Sequence, residues 1–184
     1  MHTYLVLLRG INVSGKKIIK MEGLRQLFES AGYENVQTYI QSGNVIFDSE
    51  VAHGEVAGNI EKLIETHYGF DVTVFVLTQN ELNAAVGNMP FAEGREEEPP
   101  GLKQLYVTFL SEIPSNDNLE KLRQSPIGDD LIEVVDKVLY FKLASKASDS
   151  KLSNNLIESK LKVSATTRNW NTTLKLLAMM DSRT

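Results

Sequence analysis

Apolar residues fill every position from Tyr4 to Leu8, which predicts a strand over Tyr4–Arg9 that is buried on both faces. Met21, Leu24, Leu27, Phe28 and Ala31 then recur at helical spacing, and Gly32 stands where a helix commonly stops. Val36–Ile40 and Asn44–Asp48 read as two strands joined through Gln41-Ser42-Gly43, a hairpin signal. Val56, Ile60, Leu63 and Ile64 mark a second helix face, closed before Gly69. Val72–Leu77 is a fourth strand, and a short helix around Leu82, Ala85 and Val86 precedes Pro90.

The same order returns downstream. Leu105–Leu110 is a strand, Asn116–Gln124 a helix, and Leu131–Asp136 with Val138–Leu143 a hairpin around Asp136-Lys137. Leu152, Leu156 and Leu161 mark a helix, Val163–Thr167 a strand, and Trp170, Leu174, Leu177 and Ala178 a closing helix. The two hairpins lie 95 residues apart. Strand–helix–strand–strand–helix–strand, given twice, predicts an α+β chain of two ferredoxin-like (βαββαβ) subdomains packed together. They would span residues 1–92 and 102–184, with an acidic Pro/Gly linker at 93–101. The strands are apolar on both faces, and leaving one face wet would be costly, at about 1.5–3 kcal/mol per large side chain. The other half of the chain, or a second copy in a homo-oligomer, is expected to cover it.

Composition narrows the function. The 184 residues include no Cys, which removes thiol chemistry, disulfides and Cys-ligated metals. The N-terminal apolar run is too short for a signal peptide or a membrane span, so a cytosolic protein without a membrane partner is expected. The net charge is −5, which argues against nonspecific coating of nucleic acid. That sum hides unlike parts. Residues 93–101 hold four acidic residues and one basic, Arg9–Arg25 five basic and one acidic, and Lys142–Thr184 eight basic and three acidic. The two basic stretches could build one positive surface.

Candidate chemistry lies in three polar stretches. Gly10-Ile-Asn-Val-Ser-Gly-Lys16-Lys17 follows a strand and nearly matches the phosphate-loop pattern. Three features oppose a true phosphate loop. Lys17 replaces the magnesium-binding hydroxyl, the helix begins too late, at Lys20 or Met21, and the next two strands form a hairpin. A looser anion-binding loop stays open. Tyr39-Ile-Gln-Ser-Gly-Asn-Val-Ile-Phe47 offers amides and a hydroxyl at its turn, where Asn and Gly also serve backbone geometry. Thr166-Thr-Arg-Asn-Trp-Asn-Thr-Thr173 reads as helix N-capping by Thr167 or Asn169. A cation at a helix start is unfavourable unless an anion sits nearby, so Arg168 implies either a carboxylate of the protein or a phosphate-bearing ligand. His2, His53 and His67 show no metal-ligand spacing, and no catalytic constellation, cofactor or metal site is expected from the pattern.

These same stretches carry a resemblance. Leu7-Leu-Arg-Gly-Ile-Asn-Val13 with Gly15-Lys16, Thr38-Tyr-Ile-Gln-Ser-Gly-Asn-Val45 and Thr167-Arg-Asn-Trp-Asn-Thr172 resemble the signatures of a bacterial family, the domain-of-unknown-function family sixteen ninety-seven. Ser14 stands where the family has Gly. The resemblance implies a pair of α+β subdomains of ferredoxin-like character and supplies no activity.

The leading expectation is therefore a binding protein for a nucleotide or nucleic acid. Arg9, Lys16, Lys17 and Arg168 would hold the anion, and Asn12, Gln41, Asn44 and Asn169 would orient it. The alternatives are an enzyme acting on a small metabolite between the halves, and a non-catalytic interaction module.

Overall fold

The computed structural model describes residues 1–91 and 96–183. Among them the chain is mixed α+β, with two four-stranded antiparallel sheets and six helices. Contacts divide it into two compact units, Met1–Leu82 with Leu176–Thr184, and Asn83–Lys175.

In the first unit the order is β1 (His2–Leu8), α1 (Met21–Ser30), β2 (Glu34–Tyr39), β3 (Asn44–Ser49), α2 (His53–Tyr68) and β4 (Val74–Thr78). The strands lie β2-β3-β1-β4. Antiparallel register sets Tyr4 opposite Phe47, Val6 opposite Val45 and Leu8 opposite Val74. These side chains share one face and pack with Leu24 and Phe28 of α1 and with Val56, Ile60 and Ile64 of α2. The helix endings follow the glycines: Gly69 adopts φ +76 as the left-handed cap of α2, and the Gly32 amide donates to the Glu29 carbonyl. A helix α3 (Gln79–Gly87) follows β4, started by a reciprocal pair in which the Thr78 amide donates to Glu81 and the Glu81 amide to Thr78.

The second unit is built from β5 (Leu105–Leu110), α4 (Asn116–Arg123), β6 (Leu131–Val135), β7 (Val138–Lys142), α5 (Asn154–Leu161) and β8 (Ala165–Asn169), then α6 (Trp170–Asp181). Its strands lie β6-β7-β5-β8. Leu110, Leu139, Phe141 and Ala165 pack with Leu122 of α4 and with Ile157 and Leu161 of α5. Tyr106 stacks on Phe141 with ring centres 4.7 Å apart. Ser115 and Ser153 cap α4 and α5 by accepting the amides of Asn118 and Leu156.

The opposite faces of the sheets are buried as well. Leu5, Leu7 and Ile46 in the first and Val107 and Tyr140 in the second are at most 1% exposed. Residues on both faces of each sheet are therefore buried.

One expectation changes. The stretch 93–101 is not a solvated linker throughout. Residues 93–95 lie outside the described residues, but Glu98 is only 8% exposed. Its carboxylate accepts the amides of Gln104 and Leu105 at 2.9 and 3.1 Å, so the charge is used to close the start of β5.

The end of the chain is tied to the β2–β3 hairpin. Arg183 sits 3.4 Å from Asp48 and donates to the Asn35 carbonyl at 2.6 Å. Asp48 also accepts from Thr3 and Asn35. Burial pushes the Asp48 carboxyl up, but the hydrogen bonds from Thr3 and Asn35 and the Arg183 guanidinium outweigh it and leave it below its usual range. A depressed carboxyl contributes stability that is present above its unfolded pKa, about 3.9, and is lost as pH falls through the folded value. Asp48→Asn should therefore lower stability at pH 7, and its deficit should shrink as pH falls below about 4. Urea unfolding at pH 7 and pH 3 checks this, and an equal deficit at both would refute it.

Candidate functional site

The first motif leaves β1 and becomes a small projecting hairpin. Val13 and Lys16 form a bridge, with the Lys16 amide donating to the Val13 carbonyl at 3.0 Å. The two residues between them, Ser14 (φ +51) and Gly15 (φ +72), both take positive φ, as a tight two-residue turn requires. Asn12 (φ +54) and Lys17 (φ +47) are left-handed too. Each such non-glycine residue costs roughly 1–2 kcal/mol, so something must hold the loop in this shape.

Asn12 is that clamp. Its Nδ2 donates to the carbonyls of Ile19 and Gln41 at 2.9 and 2.8 Å, and its Oδ1 accepts the Ile19 amide at 2.8 Å. Its own amide donates to the Lys17 carbonyl. The loop amides that a phosphate loop would leave free are thus partly consumed. Both neighbours of β1 run antiparallel, and α1 starts only at Met21. The phosphate-loop pattern is therefore not a phosphate loop.

The second motif meets the first. Besides the Asn12–Gln41 contact, the Leu8 amide donates to the Gly43 carbonyl at 2.8 Å. Gly43 has φ +81, and a Cβ there would fall 2.7 Å from Ile11 Cδ1 and 2.9 Å from Leu8 Cβ. The turn needs glycine because the loop lies directly against it. Asn44 is fully buried and donates to the Tyr39 carbonyl and Ser42 Oγ. It closes the hairpin and does not face solvent.

Around this junction the charged groups divide. Lys17 is turned aside, its ammonium donating to the Asp71 carbonyl with the Asp71 carboxylate 3.7 Å away. Arg25 is held between Glu22 and Glu29. Lys16 and Lys20 are exposed, and Arg9 is half-buried, with its amide on the Thr73 carbonyl. The Gln41 side chain is exposed. Val13, Ile18 and Ile40 are also exposed, at 57, 56 and 47%.

The third motif belongs to the second unit and differs from expectation. Arg168 is not at a helix start but inside β8, opposite Val107 on a buried face of the sheet. It is 6% exposed, and its Nη1 donates to Thr166 Oγ1 and the Thr167 carbonyl at 3.0 and 2.9 Å. Burial pulls its pKa down to about 10, so it stays charged at neutral pH. Asn169 is the N-cap of α6, its Oδ1 accepting the Thr172 amide at 2.8 Å. Thr167 pairs instead with Thr108, hydroxyl to hydroxyl, across the β5–β8 ladder.

Sequence reasoning missed what Trp170 and Asn171 do. The Trp170 indole donates to the Glu96 carbonyl at 3.0 Å. Asn171 accepts the Glu98 amide and donates to the Glu98 carbonyl, both at 2.8 Å, as a neighbouring strand would. The motif holds an extended segment of its own chain. A polar pair flanking a lone Trp was the available signal. In the first unit His53 lies 3.6 Å from Glu81 and stacks on Tyr4, a half-exposed pair outside the three motifs. Among the described residues no group of three or more acidic or His side chains is placed to hold a metal, and no helix is long and apolar enough to cross a membrane.

Comparison with solved structures finds the conserved bacterial protein SP0830 from Streptococcus pneumoniae, 25% identical, with a TM-score of 0.72 over 97% of this chain and 98% of that one. No curated protein sequence matches. The sequence model for "Protein of unknown function (DUF1697)" covers residues 1–140, which include the first two motifs on the β1 loop and the β2–β3 hairpin, and this chain belongs to that family.

Proposed function

We propose that this chain binds a phosphate-bearing ligand, a nucleotide or a short nucleic acid, through the projecting loop Gly10–Lys20 and the adjoining turn at Gln41. The observation that carries this reading is the loop's shape. Residues in sparsely populated backbone regions persist where the surroundings over-determine them, and they cluster at ligand clamps and switches. Here Asn12, Ser14 and Lys17 are all left-handed within six residues, and Asn12 clamps the base. A Cβ at Gly15 would meet nothing within 4 Å, so the tip stands clear of its own fold. Lys16 and Lys20 are the exposed cations on it, with Arg9 at its root. Asn12, Asn44 and Asn169 serve the fold, and the buried Arg168 is left out of the contact surface. We further read each unit as a ferredoxin-like domain, on its element and strand order, in a cytosolic protein.

The test is titration of the full chain with ATP and with a short single-stranded oligonucleotide over a range of salt. The reading predicts saturable binding that weakens with salt and falls at least about tenfold in Lys16→Ala with Lys20→Ala. No saturable binding, or unchanged affinity in that variant, removes it. The exposed Val13, Ile18 and Ile40 favour a second reading, an interaction module for another protein. Binding of that kind would resist salt and be lost on Val13→Asp with Ile18→Asp.

A further inference from the structure

A cavity of about 470 Å³ opens in the second unit, lined by Gly101–Gln104 on one side and Ser145–Ser148 on the other. It shares no residue with the loop discussed above. Its size is within the range of small-molecule sites, about 300–1,000 Å³.

Both walls are fixed by buried carboxylates that point elsewhere. On one side Glu98 holds the Gln104 and Leu105 amides, and the Gln104 carbonyl accepts the Leu143 amide at 2.8 Å. This ties the 101–104 wall to the β5–β7 ladder, where Leu105 pairs with Lys142. On the other side Asp130, 9% exposed, accepts the Ala144 amide at 2.7 Å and the Ser150 hydroxyl. One side chain thereby grips both ends of the segment that contributes Ser145–Ser148. Inside that segment the Asp149 amide donates to the Lys146 carbonyl at 2.9 Å. The ends of both walls are therefore anchored to the fold.

The lining offers donors. It includes the side chains of Lys103 and Lys146, two hydroxyl residues, Ser145 and Ser148, and Gln104 with its side-chain amide. Among the described residues neither ammonium has an ion-pair or hydrogen-bond partner. No carboxylate lines the cavity. Asp149, next to the lining in the chain, accepts from the Ser148 hydroxyl at 3.1 Å. Two unpaired cations with several neutral donors suit a dianionic group with three acceptor oxygens better than a single carboxylate. Gly101, Leu102 and Ala147 leave uncharged surface for the remainder of the ligand.

We propose that this cavity is a binding site for a small phosphate monoester, with Lys103 and Lys146 holding the phosphate and Ser145, Ser148 and Gln104 orienting it. The space beside the lysines is larger than inorganic phosphate, which leaves room for an organic part.

The experiment is an amide-shift titration of the isotope-labelled full chain with glycerol 3-phosphate, inorganic phosphate and sodium chloride at matched ionic strength. Expected are saturable shifts at Lys103, Gln104 and 145–148 with glycerol 3-phosphate, at concentrations at least tenfold below those needed for inorganic phosphate. They should vanish in Lys103→Ala with Lys146→Ala, persist in Lys103→Arg with Lys146→Arg, and be unaffected by Lys16→Ala with Lys20→Ala. The proposal is overturned by shifts that do not saturate, by equal shifts with chloride, by no preference for the monoester, or by binding that survives the double alanine variant.

Discussion

Trp170→Ala is expected to lower unfolding free energy by about 3–5 kcal/mol, the cost of truncating a large buried aromatic. Trp170 is fully buried, the largest such side chain among the described residues. Typical domains have only about 5–15 kcal/mol in total, so the variant should unfold at markedly lower urea. Trp170→Phe keeps much of the ring volume but loses the donor to the Glu96 carbonyl, and the lost hydrogen bond should account for about 1 kcal/mol of its cost. Urea unfolding followed by circular dichroism separates the two, because the variants lack the only tryptophan and its fluorescence. An alanine variant within 1 kcal/mol of the parent would contradict the burial described.

The second large effect is expected at Glu98. Glu98→Ala removes the acceptor of two amides, Gln104 and Leu105. A buried donor left without a partner costs about 1–3 kcal/mol, so losing both is expected to cost about 2–6 kcal/mol, toward the lower end because the Gln104 amide is only part-buried. Glu98→Gln retains a carbonyl oxygen and should recover most of it. Glu97→Ala, on an exposed neighbour, should stay within about 0.5 kcal/mol. A solvated linker would make all three variants alike, so the comparison separates that reading from the structure.

The contrast shows what sequence patterns carry and what they do not. Element order and approximate bounds were legible because apolar periodicity records which face of a helix or strand is buried. Leu105–Leu110 agrees to the residue, and α1 begins at Met21 as its spacing indicates. For the last strand the pattern points to Val163–Thr167, two residues short of Ala165–Asn169, because β8 has no apolar alternation to mark it. Its pairing rests on polar residues, with Thr167 against Thr108. That shift moved Arg168 from a helix start into a buried strand and changed its reading from ligand contact to interior charge.

Glu98 was invisible for a different reason. Composition averages a charge run, and one member of this run folds inward to take two amides. Asn12 and Asn171 act through contacts 29 and 73 residues away, which no local pattern encodes. The meeting of the first two motifs likewise depends on the Leu8–Gly43 register at the end of the β1–β3 ladder. Where the notable polar residues cluster was readable. Which of them face inward was decided by packing.

The proposed function makes the clamped loop between β1 and α1 the ligand-binding element of the first unit. Its most direct measurement is the map of backbone amide shifts when the full chain is saturated with ATP or a short oligonucleotide. Expected are saturable shifts concentrated at 10–20 and 41–43, all removed by Lys16→Ala with Lys20→Ala. Saturable shifts that leave 10–20 unmoved, or shifts there that survive the double variant, would contradict it.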